Sequence, residues 1–125
     1  MSIWQNYVDV DLMNNGSFSK AAIIGVQGGT WAASPNFHCS LEESKKLSNG
    51  FQAPDQVISI LLEGVEYKKV QANQRSIYGV KNADFCICVK TKQAVIVGIC
   101  NSLEQQPNAV SAIESFADYL IGINY

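Results

Sequence analysis

The chain has 125 residues, 47% of them hydrophobic and 16% charged, a composition that excludes an intrinsically disordered segment and suits one domain over residues 1–125. Nine basic residues against eleven acidic ones give a net charge of −2, which excludes nucleic acid as the main partner. No apolar run approaches the ~20 residues that a membrane helix needs.

From the N-terminus, Met1-Ser2-Ile3-Trp4-Gln5-Asn6 has neither the basic start nor the apolar stretch of a secretion signal, so the expected compartment is the cytoplasm. Ser2 can cap a first helix of about eleven residues, in which Trp4, Tyr7, Val8, Asp11 and Leu12 keep helical spacing and Asn14-Asn15-Gly16 supplies the stop. Ala21 to Val26 reads as a buried strand, Gly28-Gly29 as a hairpin turn, and Thr30 to Ser34 as the return strand that Pro35 ends. Ser40 and Glu43 form a capping box that opens a second helix, closed by Gly50; Pro54-Asp55 starts a short helical turn.

From Ser59 to Cys100 strand follows strand: Ile60–Leu62, Tyr67–Gln71, Ser76–Tyr78, Phe85–Val89 and Ala94–Ile99. The short polar links between them suit an antiparallel meander and are too short for helical crossovers. Pro107 suits the first turn of a last helix, and Ala109, Ile113, Phe116, Ala117 and Leu120 make its apolar stripe. The order predicts an α+β fold: one antiparallel β-sheet with helices packed on its faces.

Catalytic patterns are absent. His38 is the one histidine, no Ser or Cys has an identifiable base, and no phosphate loop with its lysine occurs. The four cysteines, Cys39, Cys86, Cys88 and Cys100, form no CxxC pair and have the wrong spacing for zinc, so reduced thiols and no metal or cofactor are expected. Cys86 and Cys88 alternate along a strand and face the same side. The stronger signal is aromatic placement at both ends. Trp4 and Tyr7 lie one helical turn apart, Tyr119 falls off the apolar stripe, Tyr125 follows it, and Trp31 stands beside a tight turn. Rings with polar tips suit a polyproline II ligand, which is already extended and leaves its carbonyls unpaired. Spacing alone leaves open whether these rings instead pack the two helices together.

Five segments carry a family resemblance over nearly the whole chain. They are Trp4-Gln5-Asn6-Tyr7-Val8-Asp9, Thr30-Trp31-Ala32-Ala33-Ser34, Arg75-Ser76-Ile77-Tyr78-Gly79, Val89 to Gly98, and Ala117-Asp118-Tyr119-Leu120-Ile121-Gly122 closing on Tyr125. In this order they resemble the profilins, most of all fungal and amoeboid members. The resemblance implies that the N- and C-terminal helices pack together on one face of the sheet and shorter helices on the other, in a non-enzymatic cytoplasmic and cytoskeletal protein, monomeric as far as the sequence demands. It would bind monomeric actin and proline-rich proteins such as formins, with phosphoinositide lipids as a weak further partner.

Carried onto matching positions, the proline-binding residues are Trp4, Tyr7, Trp31, Tyr119, Leu120 and Tyr125. The actin-binding residues are Arg75, Lys81, Lys90, Lys92, Asn108 and Ser111. The chain departs from the family pattern at Glu66, Val80, Pro107, Val110 and Ser111. The alternative is a profilin-like scaffold or sensor domain that keeps proline-peptide binding with weak or no actin binding. A sensor would need an internal pocket of ~300 Å3 or more.

Overall fold

In the computed structural model, which describes residues 3–125, the N-terminal segment is helical as far as Gly16; the Ser2 cap lies outside the described residues. The segment is wound in three ways. Helix α1 (Ile3–Asn6) passes into a wider i→i+5 winding over Tyr7–Leu12 and then a tight turn over Met13–Asn15. A wider winding turns each residue through less than the α-helical ~100°. Tyr7, Val8 and Leu12 therefore fall under one side of the helix, and all three are buried.

Strands β1 (Lys20–Gly25) and β2 (Thr30–Ala33) form the expected hairpin. Gly28 and Gly29 take φ of 97° and 90° in its turn, values that a β-carbon disfavours. The meander follows as β3 (Ser59–Leu62), β4 (Val65–Ala72), β5 (Ser76–Lys81), β6 (Asp84–Lys90) and β7 (Ala94–Cys100). β5 runs three residues past the expected Tyr78. The link to β6 shrinks to Asn82-Ala83, with Asn82 at φ 55° closing the turn.

All pairings are antiparallel, in the order β2-β1-β7-β6-β5-β4-β3. Helix α3 (Gln106–Gly122) packs on β6 and β7, with Pro107 in its first turn. Ile113 and Leu120 of α3 share one core with Val8, Leu12, Ile87 and Ile96. The other face holds a second core of Ile24, Leu47, Phe51, Ile77, Cys86, Cys88 and Val97 under helix α2 (Leu41–Gly50). Every residue of β7 is buried because both its faces are covered. The α+β arrangement read from the sequence is the one observed. The four cysteines are free, and Cys86 and Cys88 share a face. No described helix is long and apolar enough to cross a membrane.

The expected capping box opens α2. Ser40 Oγ accepts from the Glu43 N–H at 3.1 Å, and Glu43 Oε1 accepts from the Ser40 N–H at 3.1 Å. The same carboxylate accepts from the N–H groups of Glu63 (3.0 Å) and Gly64 (2.8 Å), pinning the β3–β4 turn to the helix. Burial, the largest single influence, pushes the Glu43 pKa up. The hydrogen bonds together outweigh it and hold the group below the usual carboxylate range.

Ser40→Ala should cost about 1 kcal/mol in chemical denaturation. Glu43→Ala should cost more, since it frees three N–H donors; an equal or smaller loss would show that the β3–β4 tie contributes nothing. The helix ends at Gly50, yet through no left-handed glycine: Phe51 follows at φ −69°, ψ −21°. A β-carbon on Gly50 would lie 3.1 Å from Val57 Cγ2, so close packing explains glycine there.

Candidate functional site

Trp4, Tyr7, Trp31, Tyr119 and Tyr125 come from three parts of the chain and meet in one cluster. Trp4 is its hub. Its ring centroid lies 4.8 Å from that of Trp31, 5.2 Å from Tyr125 and 5.7 Å from Tyr7. The cluster continues through Tyr7 to Tyr119 at 6.2 Å, and Tyr119 stacks on Phe116 at 6.1 Å and 27°. These distances suit edge-to-face and offset aromatic pairs.

The folding of each neighbour explains the cluster. Trp31 sits at a bulge of the hairpin and its ring packs over Gly25, which has no side chain; a β-carbon there would stand 2.7 Å from Trp31 Nε1. Gln5 Nε2 donates to Ala33 O at 2.9 Å and to Asp9 Oδ1 at 3.0 Å, tying α1 to the end of β2 and so Trp4 to Trp31. The main-chain oxygen of Tyr125 accepts from Gln93 N–H at 2.7 Å and from Thr91 Oγ1 at 2.8 Å, which holds the Tyr125 ring against Trp4. Gln5 and Thr91 are site residues that sequence reasoning missed. The signal for Gln5 was present in the Trp4-Gln5 pair, whereas nothing near Thr91 in sequence points to Tyr125.

The rings differ in what they offer. Tyr119 is 50% exposed, Tyr125 40% and Trp31 39%, and Trp4 is half-buried. Tyr7 is only 8% exposed, and its phenol oxygen reaches the rim. A hydrogen bond with Tyr119, then burial, pushes the Tyr7 pKa up. Leu120 is fully buried and supports the cluster from below. The exposed surface is therefore a ridge of Trp31, Trp4, Tyr125 and Tyr119 with phenol and indole donors at its edges.

The six residues expected on the second face are not brought together. Arg75 is engaged within the fold. Its Nε bonds Glu114 Oε1 at 2.9 Å, and its Nη2 bonds Asp118 Oδ1 at 2.9 Å and Glu114 O at 3.1 Å. Burial, the largest influence on the guanidinium, pushes its pKa down; the bonds and charges of Glu114 and Asp118 outweigh that and raise it. Glu114 also accepts from Ser76 Oγ at 2.7 Å and from the Tyr78 hydroxyl. Lys92 Nζ donates to Asn124 Oδ1 at 2.9 Å, near the ring cluster. Lys81 and Lys90 lie at strand ends, and alternation from Gly79, Cys86 and Cys88 turns both toward the α2 side. Asn108 and Ser111 lie exposed one turn apart on α3 and line a shallow polar depression together with Gln105 and Ser115.

Beyond α3, the same side of β5, β4 and β3 is uncovered. Register and alternation place Val80, Tyr78, Lys68, Glu66 and Leu61 there, with Val110 of α3 at the margin. This patch mixes apolar and charged groups, as protein-binding surfaces do. Lys68, Tyr78 and Leu61 were missed because strand register is not written in sequence. An apolar groove of ≈ 320 Å3 lies at the surface between α2 and β3, lined by Leu47, Val57, Ile58 and Ile60 among others. It is not the internal pocket that a sensor would need.

Comparison with known proteins agrees with this geometry. The sequence model of the family described as Profilin matches residues 2–125. Profilin-1B of Acanthamoeba castellanii is 40% identical over 121 residues, covering 95% of this chain and 96% of that protein. The profilin of Schizosaccharomyces pombe is 38% identical over 125 residues, covering 98% of each. The solved structure of Acanthamoeba castellanii profilin IB superposes with a TM-score of 0.93 at 39% identity, over 98% of this chain and 99% of that one. LokiProfilin2, solved in complex with rabbit actin, shares the fold at a TM-score of 0.79 and 15% identity, over 98% of each chain. A ring cluster joining both termini, on a sheet that superposes this closely, in a chain this similar throughout, places the protein in the profilin family.

Proposed function

We propose that the protein binds monomeric actin on the open sheet surface beside α3 and proline-rich peptides on the aromatic ridge. It thereby delivers actin to proline-rich elongation factors such as formins. The observation that carries this reading is the ridge itself: four partly exposed rings, Trp4 among them, with Trp4 and Tyr125 held by bonds from the Gln5 and Thr91 side chains to main-chain oxygens of other elements. A contiguous patch of exposed rings marks a binding site more than a packing joint, and a polyproline II strand packs its rings on such faces and accepts hydrogen bonds from their edges.

The open patch supports the actin contact by its position and mixed chemistry, and a protein of the same fold is solved in complex with actin. Residues 1–125 act as one domain in the cytoplasm. The mechanism is stoichiometric: the chain performs no covalent chemistry and raises the local concentration of actin where proline-rich partners sit.

Retention of actin on a polyproline resin tests both contacts at once. The resin should hold the protein and, only through it, monomeric actin. Retention of the protein without actin would contradict the adaptor reading and leave a proline-binding module.

A further inference from the structure

We propose that Thr91 is a positioning residue for the proline site: through the β6–β7 turn it sets the place of the Tyr125 ring and so the shape of the ridge. The inference rests on the reading of the ridge as a proline-binding site. Past the buried Leu120 the chain is held weakly. Gly122, Ile123, Asn124 and Tyr125 are all exposed, and their other main-chain bonds run back to Tyr119, Leu120 and Ile121 within the same segment. The ties from this segment to the sheet pass through one turn: Thr91 Oγ1 and Gln93 N–H to Tyr125 O, and Lys92 Nζ to Asn124 Oδ1.

Thr91 is suited to this role. It is only 5% exposed, so water competes poorly for its hydroxyl. Its oxygen accepts from the Ala94 N–H at 3.1 Å, and its one hydrogen has two acceptors in reach, Tyr125 O at 2.8 Å and Ala94 O at 3.2 Å, of which Tyr125 O is the nearer. An untethered surface tyrosine would pay ordering entropy on meeting a ligand, and the clamp removes that cost beforehand.

The test compares Thr91→Val with Thr91→Ser by titrating polyproline and following tryptophan fluorescence. The valine variant should bind about fivefold more weakly, the factor that one hydrogen bond is worth in net terms. The serine variant should bind as the unchanged protein does. Folded Thr91→Val that binds with unchanged affinity overturns the inference while the ridge reading stands. Failure of the unchanged protein to bind overturns both.

If Thr91→Val does not fold, hydrogen exchange at the Gln93 amide of the unchanged protein decides. Saturating polyproline should slow it, because ligand on the Tyr125 ring holds the clamp shut. Exchange unaltered by bound ligand overturns the inference.

Discussion

Trp4→Ala should reduce polyproline affinity by at least roughly 30-fold, because a central ring in a desolvated contact is typically worth 2 kcal/mol or more. Trp4 is the ring that touches Trp31, Tyr7 and Tyr125 together. Its loss removes its own face and the support of its neighbours. The fold should survive, because Trp4 packs at the edge of the core and the buried Val8 and Leu12 still anchor the segment. Trp31→Ala and Tyr119→Ala should weaken binding less, each having fewer ring neighbours. Isothermal titration with the circular dichroism spectrum as control separates the two effects. Folded Trp4→Ala that binds normally would mean that the ridge is not the proline site.

Glu114→Ala should lower stability by about 2–3 kcal/mol, or roughly 10 °C in melting temperature. One carboxylate joins α3 to the start of β5 through Arg75, Ser76 and Tyr78. Removing it leaves the nearly buried Ser76 hydroxyl without its partner and Arg75 with only Asp118 and the main-chain oxygen at position 114. Glu114→Gln should lose less, since the amide oxygen still accepts.

The group also sets an acid limit. Burial is the largest influence on Glu114 and raises its pKa. The bonds from Tyr78, Ser76 and Arg75 together outweigh it, so the folded value lies below the usual one. The stabilisation is thus complete above the unfolded value of about 4.3 and is lost as pH falls through the folded one. Glu43 adds stability in the same window and direction. Denaturation of the unchanged protein and of Glu114→Gln, measured from neutral pH downward, should show a shallower loss in the variant below about pH 4.3. Parallel curves would show that the charge of Glu114 contributes nothing.

Local chemistry made much of the fold legible. The Ser40 and Glu43 box, the Gly28-Gly29 turn and the apolar runs of β6 and β7 each follow from residues a few positions apart, and each stands where expected. Tyr119 was read as off the α3 stripe, and it is half exposed. What failed to show in sequence depends on distant partners. Arg75 reads as a free cation until α3 returns and sets Glu114, 39 positions away, against it. Thr91 reads as an ordinary turn residue until Tyr125, 34 positions on, reaches its hydroxyl. Tyr7 is carried over as a proline-binding residue by resemblance, and the fold leaves only 8% of it exposed. Leu120 lies on the core stripe by its spacing, and its carried-over place in the site gives it no exposed surface.

The ridge as a proline-binding surface is the central claim, and intrinsic tryptophan fluorescence during a polyproline titration tests it most directly. Trp4 and Trp31 are the chain's two tryptophans, and both stand in the ridge, so no other indole dilutes the signal. A saturable change in intensity and emission maximum is the predicted result. A flat titration of folded protein would contradict the account and make the rings a structural joint between the two termini.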